Sequence, residues 1–497
     1  MLIALDITTD WADRVVPVRL TLSEAVSECY AATLDLLSDT ADLDLSQALR
    51  LAATITLTLG DDARRVSGIV LGMSLEGILP QGQAWYRLVL APRLRLLDLT
   101  LRSRVFCTER ASRIGDVIQA VLATAEGAEL TPGDYEASLS QPDYPLRDMV
   151  VQYEESDLAF LSRLAEDAGI FYVFGEGASG ERALFGDSNV AFPRLADGPG
   201  GGILAYRPGI GLADPGPAVR SASLRSRLRP SAVTLDERDY ASPQTVLQVQ
   251  SRPQAGGIGS STWQEANGYV DSGWGRALAE IRAQELAVDR CELAGDSDCI
   301  MLSAGSAFTL QGHEAPAMDG PYIAIAVEHT AWEAASGIEH LPGPPRSGRG
   351  YQNRFVAIPA DCPYRPRRKT PKPSIAGLLR AVIDGTDSGR SELDALGCYR
   401  IILPFDTVTR APGQSSCPVR LVSPYGGPAE GLHFPLRPGT QVMVAFHHGD
   451  PDRPVVIGPV YDADQKSVVT DTNRYRNVIR TVSGITVTMN DGPPPGR

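Results

Sequence analysis

The chain has 497 residues, and its 46 Lys+Arg against 60 Asp+Glu give a formal charge of −14. That length predicts roughly three domains, and 48 glycines with 37 prolines predict many turns and extended connections. The acidic balance disfavours nucleic acid or an anionic membrane as a partner, because neutralising phosphates needs clustered Lys and Arg. The opening MLIALDITTD lacks a basic region and Asp6 interrupts its apolar run, so no secretory signal is expected and synthesis is placed in the cytoplasm. No uncharged apolar stretch approaches the roughly 18–20 residues that span a bilayer. The seven cysteines (29, 107, 291, 299, 362, 398, 417) are scattered, with no CxxC and no zinc-finger spacing. Cys291 and Cys299 could pair; isolated thiols in a reducing compartment are the plainer reading.

In chain order, ATITLTL (53–59) alternates apolar residues with threonines, the period of a half-buried strand, and Gly60-Asp61 supplies a turn. Ile114, Val117, Ile118, Val121 and Leu122 mark one face of an amphipathic helix. A second helix is expected after Ser156, an N-cap with Asp157 in the positive first turn, and Gly169 is its left-handed stop. Seven glycines and four prolines between Gly198 and Pro217 read as a loop, with shorter interruptions at Pro253–Ser261 and Leu341–Gly350. A third helix is expected from Trp274 to Val288. PYRPRRKTPKP (363–373), with four prolines and five basic residues, reads as a solvated, extended linker. Beyond it only short strands are expected, at 399–403, 419–422, 441–446 and 455–457, which suggests a small closed β-barrel. The fold class is therefore mainly β with helical insertions, and no fixed-period repeat is present.

The run QYEESDLAFLSRLAEDAGIFYVF (152–174) resembles the signature of the valine-glycine-repeat (VgrG) spike proteins of type VI secretion and their contractile-phage hub relatives. The matching positions are Gln152, Tyr153, Glu155, Ser156, Phe160, Arg163, Leu164, Glu166, Gly169, Ile170, Tyr172 and Phe174. RPGTQVMVAFHHGDPDRPVVIGPVY (437–461) is similar to the small barrel of the same family. Weaker echoes lie at Leu302–Leu310, Tyr322, Glu328-His329, Tyr351, Asn353 and Phe355 into Ile358-Pro359. The resemblance implies two hub β-barrels, the first at 1–205 with a helical insertion and the second at 206–362. A linker at 363–374, an OB-fold barrel at 375–462 and the start of a β-structured needle at 463–497 complete the order. It also implies a homotrimer that joins the hexameric inner tube protein of an injection machine to a membrane-piercing tip, leaving the cell with the particle on contraction. Baseplate proteins, a Pro-Ala-Ala-Arg (PAAR) type tip protein and effector cargo are the other implied partners.

The sequence departs from that family in places. Valine-glycine repeats are missing, Pro418, Gln441 and Tyr399 replace residues usual in the barrel, and 35 residues follow Asp462. Among them only GITVTM (484–489) alternates like a needle rung before DGPPPGR, so a short, blunt needle is expected. Enzymatic readings are weak. GMSLE (72–76) lacks the final glycine of a nucleophile elbow, His313-Glu314 is followed by APA, and no P-loop or HExxH occurs. His447-His448 with Asp450 and Asp452 has metal-ligand chemistry but reads more simply as a strand end entering a proline-braced turn, with Asp452-Arg453 a loop ion pair. No catalytic residue, cofactor or metal site is assigned. The alternative is a soluble OB-fold binding protein or hydrolase. Against nucleic acid, residues 375–462 carry seven Arg and no Lys beside nine Asp+Glu.

Overall fold

The computed structural model describes residues 2–107, 113–124, 130–140, 144–177, 180–195, 201–209, 216–264, 268–333, 341 and 349–492. The chain divides into two units: Met1–Arg102, Glu109–Arg147 and Glu154–Lys372 form the first, and Ser103–Thr108, Asp148–Tyr153 and Pro373–Arg497 the second.

The first unit opens with six antiparallel strands, β1 (Leu2–Ile7), β2 (Val16–Ala25), β3 (Ala31–Ser38), β4 (Ala52–Leu59), β5 (Asp62–Ile78) and β6 (Ala84–Ala91), in the order β1-β4-β5-β6-β3-β2. Their inward residues alternate, as a one-sided sheet requires: Leu20, Leu22, Leu34, Leu36, Ile55, Leu57, Leu88 and Leu90 share one core. GMSLE lies within β5, so its Ser74 sits on a strand rather than on a strained elbow, and its hydroxyl donates to Glu76. An insertion follows, with β7 (Leu101–Phe106), α1 (Ile114–Ala123), β8 (Tyr135–Ser138), β9 (Val150–Ser156), α2 (Asp157–Ala168), β10 (Phe171–Gly177) and β11 (Gly180–Gly186). All five residues predicted for the inner face of α1 are buried.

The rest of the unit runs β12 (Ile203–Tyr206), β13 (Ala218–Ser226), β14 (Ala232–Glu237), β15 (Leu247–Gln250), β16 (Ser260–Gln264), α3 (Ser272–Ala287), β17 (Cys291–Ser297), β18 (Ala307–Gln311), β19 (Gly320–Trp332) and β20 (Gly350–Pro359). Strands β19-β18-β12-β13-β17-β20 form a closed ring, because β20 pairs back onto β19. Its interior holds Leu204, Val219, Leu293, Phe308, Leu310, Val327 and Phe355. The two expected hub barrels are thus halves of one twelve-stranded sheet, joined where β19 pairs with β2. The first half keeps β1 as an edge, where Glu333 takes the Ile3 N–H at 2.9 Å. The tract 198–217, expected as loop throughout, contributes β12 to the ring: four residues suffice there because β18 and β13 flank them on both sides. Most of the Leu341–Gly350 interruption and the PPPGR terminus lie outside the described residues.

Residues 363–372 hold no helix or strand and leave Arg367, Arg368, Lys369 and Lys372 exposed, as expected, but they pack on the first unit rather than run free of it. Tyr364 is 7% exposed and packs on Phe171 and Phe192, Pro366 is buried, and Arg367, Arg368 and Lys369 pair with Asp289, Glu285 and Glu28 of the same unit. Counting prolines and charges reads local stiffness and polarity, and neither reports acids more than 75 residues away.

In the second unit, β21 (Leu379–Asp384), β22 (Arg400–Ile402), β23 (Gln441–Phe446) and β24 (Pro454–Pro459) form a sheet in the order β22-β21-β23-β24. Residues 419–421 close it, bridging Tyr399 on one side and Val456 on the other, which gives a five-segment barrel. Val105, Met149 and Val151 join its core with Tyr399, Ile401, Val442 and Val444. A final hairpin pairs β25 (Arg476–Arg480) with β26 (Thr486–Asn490).

Candidate functional site

The residues singled out for their chemistry are not brought together among the described residues. His313 sits in an exposed loop, where its Nδ1 accepts the Ala315 N–H. His447 and His448 form a short turn with His448 at φ 53°, while Asp450 takes the Asp452 N–H and Asp452 takes the Val151 N–H at 2.6 Å. Those carboxylates are occupied in shaping the turn and in fixing the segment 148–153 to the barrel. Among the described residues, no group of three or more His, Cys, Asp or Glu is placed to hold a metal. All seven cysteines are free thiols, Cys291 and Cys299 included.

Three features do stand out, and the first joins the halves of the hub sheet. Arg64 on β5 donates to Glu24 on β2 at 2.6 Å and to the Leu302 carbonyl at 3.1 Å. His329 on β19 lies 3.0 Å from Glu24 through Nε2 and 2.6 Å from the Tyr351 hydroxyl through Nδ1. Asn353 donates to Tyr351 and to the Cys299 carbonyl. Burial alone would raise the Glu24 carboxyl, but the Arg64 charge and the His329 hydrogen bond outweigh it and hold the pKa at about 2. Burial, with Arg64 beside it, pushes His329 below its ordinary value, so the ring is neutral. A proton on Nε2 satisfies Glu24 and leaves Nδ1 to accept from Tyr351. His329, Tyr351 and Asn353 carried family echoes in the sequence; Glu24 and Arg64 had no signal, since their partner is 305 and 265 residues away.

The second feature is the α2 signature. Ser156 caps the helix by accepting the Ala159 N–H at 3.1 Å, and Gly169 ends it at φ 71°. Glu155 and Arg163 form a buried bidentate pair, with Arg163 also over the Phe160 ring. Arg282 of α3, 1% exposed, donates to the Asp167 carbonyl at 2.8 Å and pairs with the Asp167 carboxylate, placing positive charge at the negative end of α2. Burial would raise the Asp167 carboxyl, but Arg147 and Arg282 hold it well below the usual range.

The third is the terminal ribbon. Register pairs Asn477 with Met489 and Ile479 with Val487, so the odd-numbered residues of both strands share a face. That face also takes Tyr475 and Ile485 through the flanking backbone bonds, whereas Arg476 and Arg480 lie on the other. Tyr475, Ile479, Ile485, Val487 and Met489 are 47–68% exposed. The sequence disclosed β26 through its strict alternation; β25 was hidden because Val478 and Ile479 are adjacent.

A hub sheet with one half closed into a ring, followed by a small OB barrel, defines a multi-barrel β protein of the tail-hub class. The chain belongs to the phage tail baseplate hub family (GPD), whose model matches residues 23–335, and residues 393–461 match the type VI secretion system/phage-baseplate injector OB domain. It is 30% identical over 476 residues to the type VI secretion system spike protein VgrG5 of Pseudomonas aeruginosa, covering 93% of this chain and 58% of that protein. VgrG4b of the same organism is 29% identical over 469 residues (93% and 56%), and the actin cross-linking toxin VgrG1 of Vibrio cholerae 29% over 427 residues (84% and 37%). The chain therefore spans a little over half the length of the two spike proteins, and the 35 residues after Asp462 say nothing of needle length. Among solved structures, the Escherichia coli c3393 protein, a component of the type VI secretion system, matches with a TM-score of 0.65 at 22% identity (92% of this chain, 99% of that one). A chain of the Francisella PdpA-VgrG complex matches at 0.60 and 8% identity (98% and 82%). Both show the fold.

Proposed function

We propose that the chain is a structural hub and spike subunit of a contractile injection system and works as a homotrimer. Residues 1–362 serve as the hub, 375–462 as the OB collar and 463 onward as the start of the needle. The observation that carries this reading is the ribbon at 475–491. A two-stranded ribbon is marginal alone in water, and here the face that carries Tyr475, Ile479, Ile485, Val487 and Met489 around Asn477 is exposed. Three copies turning that face to a common axis would each bury Ile479, Val487 and Met489, worth about 1.5–3 kcal/mol per side chain, while Arg476 and Arg480 stay outside. The relatives named as spike proteins and the family match of the hub support the same reading. The hexameric inner tube protein is the proposed hub partner, a PAAR-type protein the proposed tip, and effector cargo travels with the assembly.

The role is mechanical, so no chemistry is assigned to the chain. No helix among the described residues is long and apolar enough to cross a membrane. Light scattering on Ile479→Asp tests the reading: the parent is a trimer at micromolar concentration and the variant dissociates with its barrels intact. A parent that stays monomeric, or a variant as trimeric as the parent, contradicts it.

A further inference from the structure

The chain is acidic, yet the place where β13 leaves the ring is not. Arg225 on β13 and Arg227 and Arg229 just past it follow at every second position. Arg227 lies 2.9 Å from Glu292 and 3.8 Å from Asp289, and Arg229 reaches Asp289 through Nε at 2.7 Å. Arg367, from the strap 363–372, pairs with the same carboxylate. Arg227 N–H donates to the Arg290 carbonyl at 2.7 Å, which sets Arg290 alongside. Five arginines thus stand with two acids, Asp289 and Glu292. Asp289 is buried, and its single charge cannot neutralise three guanidiniums that stay 33–51% exposed.

Apolar surface lies among these charges. Leu228 and Ile258 are each 67% exposed, and the Ile258 N–H donates to the Arg229 carbonyl at 3.0 Å, so they stand on neighbouring segments. Exposed apolar side chains with arginines around them have the composition of a protein interface.

The first half of the hub sheet carries the inverse. Its β1–β2 and β3–β4 connections meet, since Arg14 donates to Thr40 at 2.6 Å and pairs with Asp42, and Asp10 takes Gln47 Nε2 at 3.4 Å. Asp10, Asp13, Asp39, Asp42 and Asp44 are all exposed there, with Arg14 and Arg50 as the bases. Val16 and Leu49 at the ends of these connections are 59% and 45% exposed. A threefold ring is closed by unlike surfaces meeting head to tail, because a like-on-like contact closes at two copies. Copies of −14 each repel one another overall, so contact between them gains most where a positive face meets a negative one.

We propose that the arginine face around Leu228 and Ile258 of one copy docks on the acidic β1–β2 and β3–β4 connections of the next, a hub contact separate from the ribbon. This rests on the homotrimer reading and names the surfaces that close the hub.

The test is charge reversal in the full chain, read by sedimentation as the concentration at which half the trimer dissociates. Arg225→Glu with Leu228→Glu raises that concentration by about tenfold or more. Adding Asp10→Arg and Asp13→Arg to the same chain brings it back to within about threefold of the parent, because every copy carries both faces. Should the arginine-face variant melt early, the acidic reversal alone takes its place, with the same weakening expected. A trimer indifferent to either reversal overturns the contact, and so does a weakening that the second reversal leaves unrestored. A parent that is monomeric at micromolar concentration contradicts the trimer reading itself, whereas a trimeric parent with indifferent variants contradicts only this docking.

Discussion

His329 is 0% exposed and touches Arg64, Glu24 and Tyr351, which fixes what its titration does to the hub. Its folded pKa lies below 6.5, so below pH 6.5 the unfolded chain binds a proton that the folded one refuses. Stability is therefore complete above pH 6.5 and falls as pH drops toward the folded pKa, at a limiting slope of about 1.4 kcal/mol per pH unit. Glu24 acts lower: its folded pKa near 2 against 4.5 gives stability that is present above 4.5 and lost as pH falls through 2. Between pH 5 and 6.5 the histidine effect stands apart from that carboxylate. The urea midpoint of the parent falls between pH 7.5 and 5.5, and His329→Gln flattens the fall. Equal pH slopes for parent and variant would show that the buried ring does not titrate as described.

At the scale of elements, α2 was legible in full because both its ends are written locally. Ser156 supplies the cap and Gly169 the only residue type that reaches φ 71° without strain. A side chain there would also collide, since a Cβ meets Ile281 Cγ2 at 2.7 Å and Arg365 Cδ at 3.0 Å. Gly169→Val thus costs about 1–2 kcal/mol in backbone strain plus the clash, and Gly169→Ala less. Thermal melting orders the three as parent, Ala, Val; a Val variant that melts with the parent would mean that another residue ends the helix. Elements whose stability comes from distant partners were less legible. The strap 363–372 looks like a linker because its acids lie at Glu28, Glu166, Glu285 and Asp289. Strand β12 hides in a glycine-rich tract because its neighbours, not its own four residues, hold it in the ring. Strand β21 went unmarked because its buried alternation is short, Ala381 and Ile383, and Val382 between them is apolar as well.

For the whole molecule, the mainly β class and the OB barrel followed from strand periodicity and from two long motifs. The joint between the hub halves followed only in part: periodicity finds strands, while the Glu24–Arg64–His329 contact depends on how strands more than 200 residues apart are paired. The same separation explains why residues 103–108 and 148–153 count with the second unit although they are inserted in the sequence of the first. The function proposed at this scale rests on copies of the chain meeting along the face of the ribbon at 475–491 that carries Ile479, Val487 and Met489. Single-particle electron microscopy of the purified full chain tests that claim most directly. The account predicts particles of three chains, three times 53.2 kDa, around one axis with Ile479, Val487 and Met489 turned inward. Single chains at micromolar concentration, or a trimer with that face in solvent, would contradict it.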